Sequence, residues 1–159
     1  MRVIALALLF AAAPVGAAPP TAVLAAGLAA YAAGHFADAI NDFRALADDG
    51  SAIGETMLGA MYAHGQGVPR DPAAAAAYYS RAAHRGYAPA QLAFAQVLAR
   101  GEGVATDRTA AWLWLRLAIA RGDARIVTAA KTEAASLVAS GPVPPDTSGD
   151  WRPWPSAGV

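Results

Sequence analysis

Shifted by thirty-six residues, this chain lies over itself. Residues 52–87 set against 88–123 give eleven identical positions, five of them Ala, which says little in so Ala-rich a sequence. The other six are Gly65/Gly101, Gly67/Gly103, Val68/Val104, Asp71/Asp107, Arg85/Arg121 and Gly86/Gly122. Glycines at fixed places inside a unit and at its close mark points where backbone turns or passes near another segment. A period of this length builds a stacked array of small units, none of which buries its own apolar face alone. Such arrays are mostly binding surfaces, so the repeat points to a partner before it points to chemistry.

The ends of the chain read differently from its middle. Met1-Arg2 carries one positive charge, Val3–Ala13 is an unbroken apolar run, and Pro14-Val15-Gly16-Ala17 interrupts it. Small residues at 15 and 17 suit cleavage after Ala17, so residues 1–17 are expected to be a secretory signal peptide, with 18–22 a short linker. Eleven apolar residues fall short of the ~20 that a spanning helix needs, so no stable membrane span is expected once the segment is gone. The expected location is the periplasm or the cell exterior. Without Arg2 the chain holds 11 basic and 12 acidic side chains, a net of −1 that steers it towards neither nucleic acid nor anionic lipid. It contains no Cys, which excludes disulfides, thiolate metal sites and a Cys nucleophile.

Apolar spacing inside each unit is helical. Leu58, Met61 and Tyr62 recur at three and four, Gly65-Gln66-Gly67-Val68 makes a turn, and Asp71-Pro72 opens a second helix. The carboxylate caps free backbone N–H groups, and Pro fits the first helical position. Tyr78, Tyr79, Ala82 and Ala83 line that helix, and Gly86 ends it. The next unit repeats the plan with Phe94, Val97 and Leu98, then Gly101–Val104, then Asp107 as cap, then Trp112, Trp114, Leu115, Ala118 and Ile119 up to Gly122. Tyr78, Tyr79, Phe94, Trp112 and Trp114 are expected to carry much of the burial.

A shorter unit at 23–50 precedes these: a helix over 24–33, a turn at Gly34-His35-Phe36, and a helix over 37–48 with Ile40, Phe43 and Leu46 inward. Its closing Gly50 keeps the interval to Gly86 and Gly122. Residues 51–87 and 88–122 are the two full repeats. A last helix at 123–140, with Ile126, Ala130, Leu137 and Val138 apolar, is expected to cover the open end of the array. From 141 to 159 the pattern fails and Pro, Ser, Gly and Asp make an extended or disordered tail.

The run Leu58-Gly59…Tyr62…Gly65-Gln66-Gly67-Val68…Asp71…Tyr78-Tyr79…Ala82-Ala83…Gly86 resembles a Sel1-like repeat. The second unit is similar, with Phe94-Ala95 for the Leu-Gly pair, Leu98 for the Tyr and Trp114-Leu115 at the aromatic pair. The opening unit resembles a tetratricopeptide repeat through Gly27, Gly34, Phe36, Ala39 and Phe43. The resemblance implies an all-α fold, a short right-handed α-solenoid of helix-turn-helix repeats, and a scaffold or adaptor that binds a protein or peptide in the bacterial cell envelope. A Cys-rich branch of the family is linked to penicillin binding and β-lactam hydrolysis. Hydrolysis of cell-wall or β-lactam material is therefore the second reading, although this chain lacks the Cys pairs of that branch. So few repeats also leave ends through which copies of the chain can associate.

No residue pattern points to catalysis, a cofactor or a metal. His35, His64 and His84 have no partner at metal-ligand spacing, and Asp71 and Asp107 stand where helix caps stand. Ser51, Ser80, Ser136 and Ser140 lack a nucleophile-elbow or Ser-x-x-Lys setting. Gly65-x-Gly67 follows a helix, which sets it apart from a dinucleotide loop. If the first helix of each pair lines the concave side, as in the family, Leu28, Tyr31, Thr56, His64, Leu92, Gln96 and Arg100 face the partner. Trp151 and Trp154, in a Pro-rich setting, are candidate anchors of the tail, docking either on a partner or on the chain's own groove.

Overall fold

The computed structural model describes residues 20–142; the expected signal segment and the candidate anchors Trp151 and Trp154 lie outside the described residues. Seven helices follow in order among them: α1 Pro20–Ala32, α2 Phe36–Asp48, α3 Ala52–His64, α4 Pro72–His84, α5 Ala88–Arg100, α6 Arg108–Arg121 and α7 Ala124–Ala139. No strand occurs among these residues. Each helix packs on the next along the chain, and α5 also touches α3 and α7, so these three helices form a second row. The fold is an α-solenoid whose two central hairpins lie side by side, with Val97 of α5 buried among Ala75, Ala76 and Tyr79 of α4.

The caps explain where helices start. Asp71 accepts hydrogen bonds from the backbone N–H groups of Ala73 and Ala74, both at 3.0 Å, and Asp107 accepts one from Ala110 at 2.9 Å. Asp123 caps α7 in the same way through Ile126. The turns from α3 to α4 and from α5 to α6 each also close through one main-chain bond, Asp71 N–H to the Tyr62 carbonyl in the first repeat and Asp107 N–H to the Leu98 carbonyl in the second. The second glycine of the turn serves another purpose. A Cβ on Gly67 would lie 2.8 Å from that of Phe36, and one on Gly103 would overlap the Pro72 carbonyl. Phe36 and Pro72 are the first residues of α2 and α4, so each turn rests on the helix start of the unit before it.

Some boundaries differ from expectation. α1 begins at Pro20, so part of the segment taken as a linker is the first helical turn. Proline suits that position because the first N–H of a helix has no intrahelical acceptor. Phe36 is helical and not a turn residue; the turn is made at Gly34, with φ +79°. Gly122 differs from Gly50 and Gly86: its φ is −75°, and its missing side chain leaves room for the Ala118 carbonyl and Ile126.

The interior is built around few large side chains. Phe43, Leu58, Met61 and Leu115 are fully enclosed, and alanines such as Ala39, Ala82, Ala90, Ala95, Ala111 and Ala118 fill the space between helix axes. Of the five aromatics expected to dominate burial, Tyr79 alone is buried, while Tyr78, Phe94, Trp112 and Trp114 are half-buried. Alanine lets the axes approach so closely that a large ring is held at the seam instead of between them. Val138, one of the apolar residues of the last helix, is 49% exposed.

Candidate partner-binding face

The seven residues assigned to the concave face come from α1, α3 and α5 and fall into three groups. Tyr31 is a structural tie: its hydroxyl donates to Gln66 Oε1 at 2.7 Å, and its ring lies edge-on to Phe36 at 5.4 Å. The bond joins the first helix to the turn after α3. Thr56 turns its hydroxyl back to the Ala52 carbonyl at 2.6 Å, and Leu92 packs half-buried against the core around Leu98 and Leu115. Leu28 and His64 are exposed.

Gln96 and Arg100 are brought together by a residue that sequence reasoning did not assign to this face. Glu133 of α7 accepts from Gln96 Nε2 at 3.4 Å and lies 3.9 Å from the Arg100 guanidinium. Arg100 also lies 3.9 Å from Glu102, the residue after Gly101 in the turn. More than half of the Arg100 side chain is exposed, so these pairs are loose and screened by solvent. The result is a mixed patch of donors and acceptors next to half-buried Ala93 and Ala99. Its legible trace in the sequence was the expected docking of 123–140 on the last repeat.

A second cluster, between α2, α3 and α4, was also missed. Arg44 donates to the Tyr62 hydroxyl at 3.5 Å, Tyr62 stacks on Tyr78 at 5.5 Å, and the Arg81 guanidinium lies over the Tyr78 ring at 4.6 Å. Beneath them Glu55, only 2% exposed, receives Arg81 at 3.3 Å and Arg85 at 3.1 Å. Burial pushes the Tyr79 hydroxyl up to about 12, with smaller contributions from Tyr31 and Glu102.

One pair has the outline of a nucleophile and its base. Ser80 Oγ lies 3.4 Å from Nδ1 of His84 one turn later. The same nitrogen lies 2.7 Å from the Ser80 carbonyl oxygen, which only accepts, so Nδ1 carries the hydrogen and cannot take the Ser80 proton. The ring packs edge-on against Trp114 at 4.9 Å. This histidine is a packing residue. Among the described residues no group of three or more His, Asp or Glu side chains is placed to hold a metal ion, and no helix is long and apolar enough to cross a membrane.

Comparison with known proteins agrees with this architecture. Residues 52–87 and 88–123 each match the model of the Sel1 repeat. In fold the chain is similar to the crystal structure of a Sel1 repeat protein from Oxalobacter formigenes, with a TM-score of 0.63 and 23% identity over 72% of this chain and 45% of that one. It is also similar to c5321, a protective antigen of uropathogenic Escherichia coli strains displaying an SLR fold, with a TM-score of 0.59 and 21% identity. That match covers 76% of this chain and 30% of the antigen, so the chain spans less than half the length of either structure. No curated protein matches it significantly.

Proposed function

Because this chain carries two Sel1 repeats, we propose that it is exported and serves as a protein-interaction scaffold or adaptor in the bacterial cell envelope. The observation that carries the reading is the repeat itself, folded as two contiguous hairpins whose first helices, α3 and α5, touch. On the assigned face Gln96, Arg100, Glu102 and Glu133 offer donors and acceptors together, which suits the alternating N–H and C=O groups of a peptide. The half-buried alanines beside them keep the floor shallow enough for a backbone to approach. The apolar amino-terminal run supports export.

The test uses the mature chain as bait in envelope extract, beside a variant carrying His64→Ala, Gln96→Ala and Arg100→Ala. The expected result is a protein captured by the wild type and lost by the variant at equal helicity. Equal capture by both would remove the assigned face, and accumulation of the full-length chain in the cytoplasm would remove the envelope.

A further inference from the structure

Phe43, Tyr79 and Leu115 stand at intervals of thirty-six, one on the second helix of each pair, and all three are buried. The first two pack in the same way. A Cβ on Gly27 of α1 would stand 2.9 Å from the Phe43 ring, and one on Gly59 of α3 would stand 2.7 Å from the Tyr79 ring. At the third place Leu115 shares a core with Ala95 of α5. Two of the three units thus fill this position with a purely apolar side chain, so packing has no use for a hydroxyl there.

Tyr79 nevertheless carries one, and it makes no hydrogen bond among the described residues. The enclosed polar atoms without a partner are Gln91 Oε1 and Trp112 Nε1; the Tyr79 oxygen is not among them, so the tip of the ring reaches the surface. Phe43 is 0% exposed and Tyr79 8%, which leaves a narrow opening over a fixed donor. That opening is on the assigned face. Ala60 and Ala63 of α3 and Ala93 of α5 pack around Tyr79 and Val97. Ala60 lies one turn before His64, and Ala93 lies on one stripe of α5 with Gln96 and Arg100. Burial raises the phenol most, and the groups that add to it are Tyr31 of α1 and Glu102 in the turn after α5, neither of them on the helices that hold the ring.

Its surroundings supply the matching acceptor. Tyr31 already gives its hydrogen to Gln66, in the turn after α3. Thirty-six residues on, Glu102 stands at the place of Gln66, while Ala63 stands on α3 where α1 has Tyr31, counting from Gly59 and Gly27. Glu102 therefore lacks a phenol partner; its ion pair is with Arg100 at 3.9 Å, and its side chain is half exposed. A group that takes a hydrogen from Tyr79 and gives one to Glu102 is an amide. Glu102 and Glu133 face one arginine, Arg100, so an acidic ligand is repelled.

We propose that Tyr79 is a ligand-binding residue, its hydroxyl donating to a main-chain carbonyl of an extended, neutral or basic peptide that lies across α3 and α5 and turns an N–H to Glu102. This rests on the reading of the face as a protein-interaction surface and adds the side chain that holds the partner's backbone.

A random linear peptide library displayed on phage and panned against the mature chain supplies the probe. The selected peptides are synthesised, and Kd is measured by calorimetry for the wild type, for Tyr79→Phe, and for the chain with His64→Ala, Gln96→Ala and Arg100→Ala. Phe43 shows that the position accepts Phe, and thermal unfolding checks that Tyr79→Phe keeps its fold. The expected result is a Kd about five- to tenfold higher in Tyr79→Phe, the worth of one neutral hydrogen bond. Exchanging the peptide amides one at a time for esters, whose carbonyl is the weaker acceptor, should find one position that weakens binding to the wild type and not to Tyr79→Phe. Equal Kd for these two proteins, with binding lost in the triple variant, overturns the role of the hydroxyl and leaves the face. A loss in Tyr79→Phe with every ester acting alike on both proteins overturns the contact with the main chain. A library that yields no binder, or peptides that the triple variant binds as well as the wild type, overturns the face and the proposal together.

Discussion

Glu55 and Gln91 stand at the same position of consecutive repeats, thirty-six residues apart, and both are buried, yet only one is charged. Glu55 receives Arg81 and Arg85. In the next unit the counterpart of Arg85 is Arg121, but that of Arg81 is Leu117. There the buried side chain is a neutral amide whose Nε2 donates to the Ala83 carbonyl at 3.3 Å. A buried carboxylate needs cations to offset its lost hydration, and an amide does not. The array thus tolerates two solutions at one place, and the charge disappears where an arginine is lost.

Removing the arginines is therefore expected to cost more than removing the charge they neutralise. Glu55→Gln should lower stability by about 1 kcal/mol, since the arginines are half exposed and turn to water. Arg81→Ala with Arg85→Ala leaves the carboxylate alone in the interior and should cost roughly 2–4 kcal/mol. Urea unfolding at neutral pH measures both. A larger loss for Glu55→Gln than for the double variant would show that the site is held by packing and not by charge balance.

The second glycine of each turn makes a separate prediction. Gly103 has φ +77° and no room for a side chain beside Pro72, whereas Gly34 has φ +79° and nothing near its missing Cβ. Gly34→Ala should cost about 1 kcal/mol, the strain of a left-handed Ala. Gly103→Ala adds a backbone clash and should cost ~3 kcal/mol or more, with Gly67→Ala close behind. Thermal unfolding of the three variants separates conformational strain from steric exclusion. Equal losses would mean that the contact between repeats yields freely.

What the sequence revealed was mostly local. Asp71, Asp107 and the turn glycines act through backbone groups within a few residues, so their roles were visible as spacing. The buried positions Leu58, Ala82, Leu115 and Ala118 followed from helical period for the same reason. Glu55 was not legible, because a glutamate on an amphipathic helix ordinarily marks the solvent side, and its arginines lie about thirty residues away. Glu133 was missed because the approach of α7 to α5 depends on how the last repeat stacks, not on any local pattern. Trp112 and Trp114 were expected in the core on size, but close alanine packing left them at its edge. Two of the seven face residues, Tyr31 and Thr56, instead direct their hydroxyls to partners within the chain.

The helix caps should rank by the bonds they make. Asp71 accepts from two backbone N–H groups, whereas Asp107 and Asp123 accept from one each and Ser51 from one at 3.3 Å. Substitution by Ala typically costs ~1 kcal/mol at such positions, so Asp71→Ala should lie above that value and Ser51→Ala below it. Denaturant midpoints of the four variants, compared at unchanged slope, test the order. A cost for Ser51→Ala equal to that of Asp71→Ala would mean that capping geometry does not set these energies here.

Tyr79 gives the fold a sensitivity to alkali. Its ring lies against Gly59, and burial pushes the hydroxyl up to about 12 from an ordinary value near 10. A group whose folded value is raised holds its proton more tightly in the native state. The stability linked to it is therefore whole below about pH 10 and is lost as the pH climbs towards 12. A rise of that size corresponds to roughly 2–3 kcal/mol across the window. Tyr87, also raised by burial and then by the charge of Asp123, adds a smaller decline of the same sign. Urea midpoints measured from pH 8 to pH 11.5 should fall steeply above 10 in the wild type and less in Tyr79→Phe, which keeps the ring without the ionisable group. Parallel curves for the two proteins would show that the phenol ionises freely, and that α3 and α4 do not close over it as the structure has them.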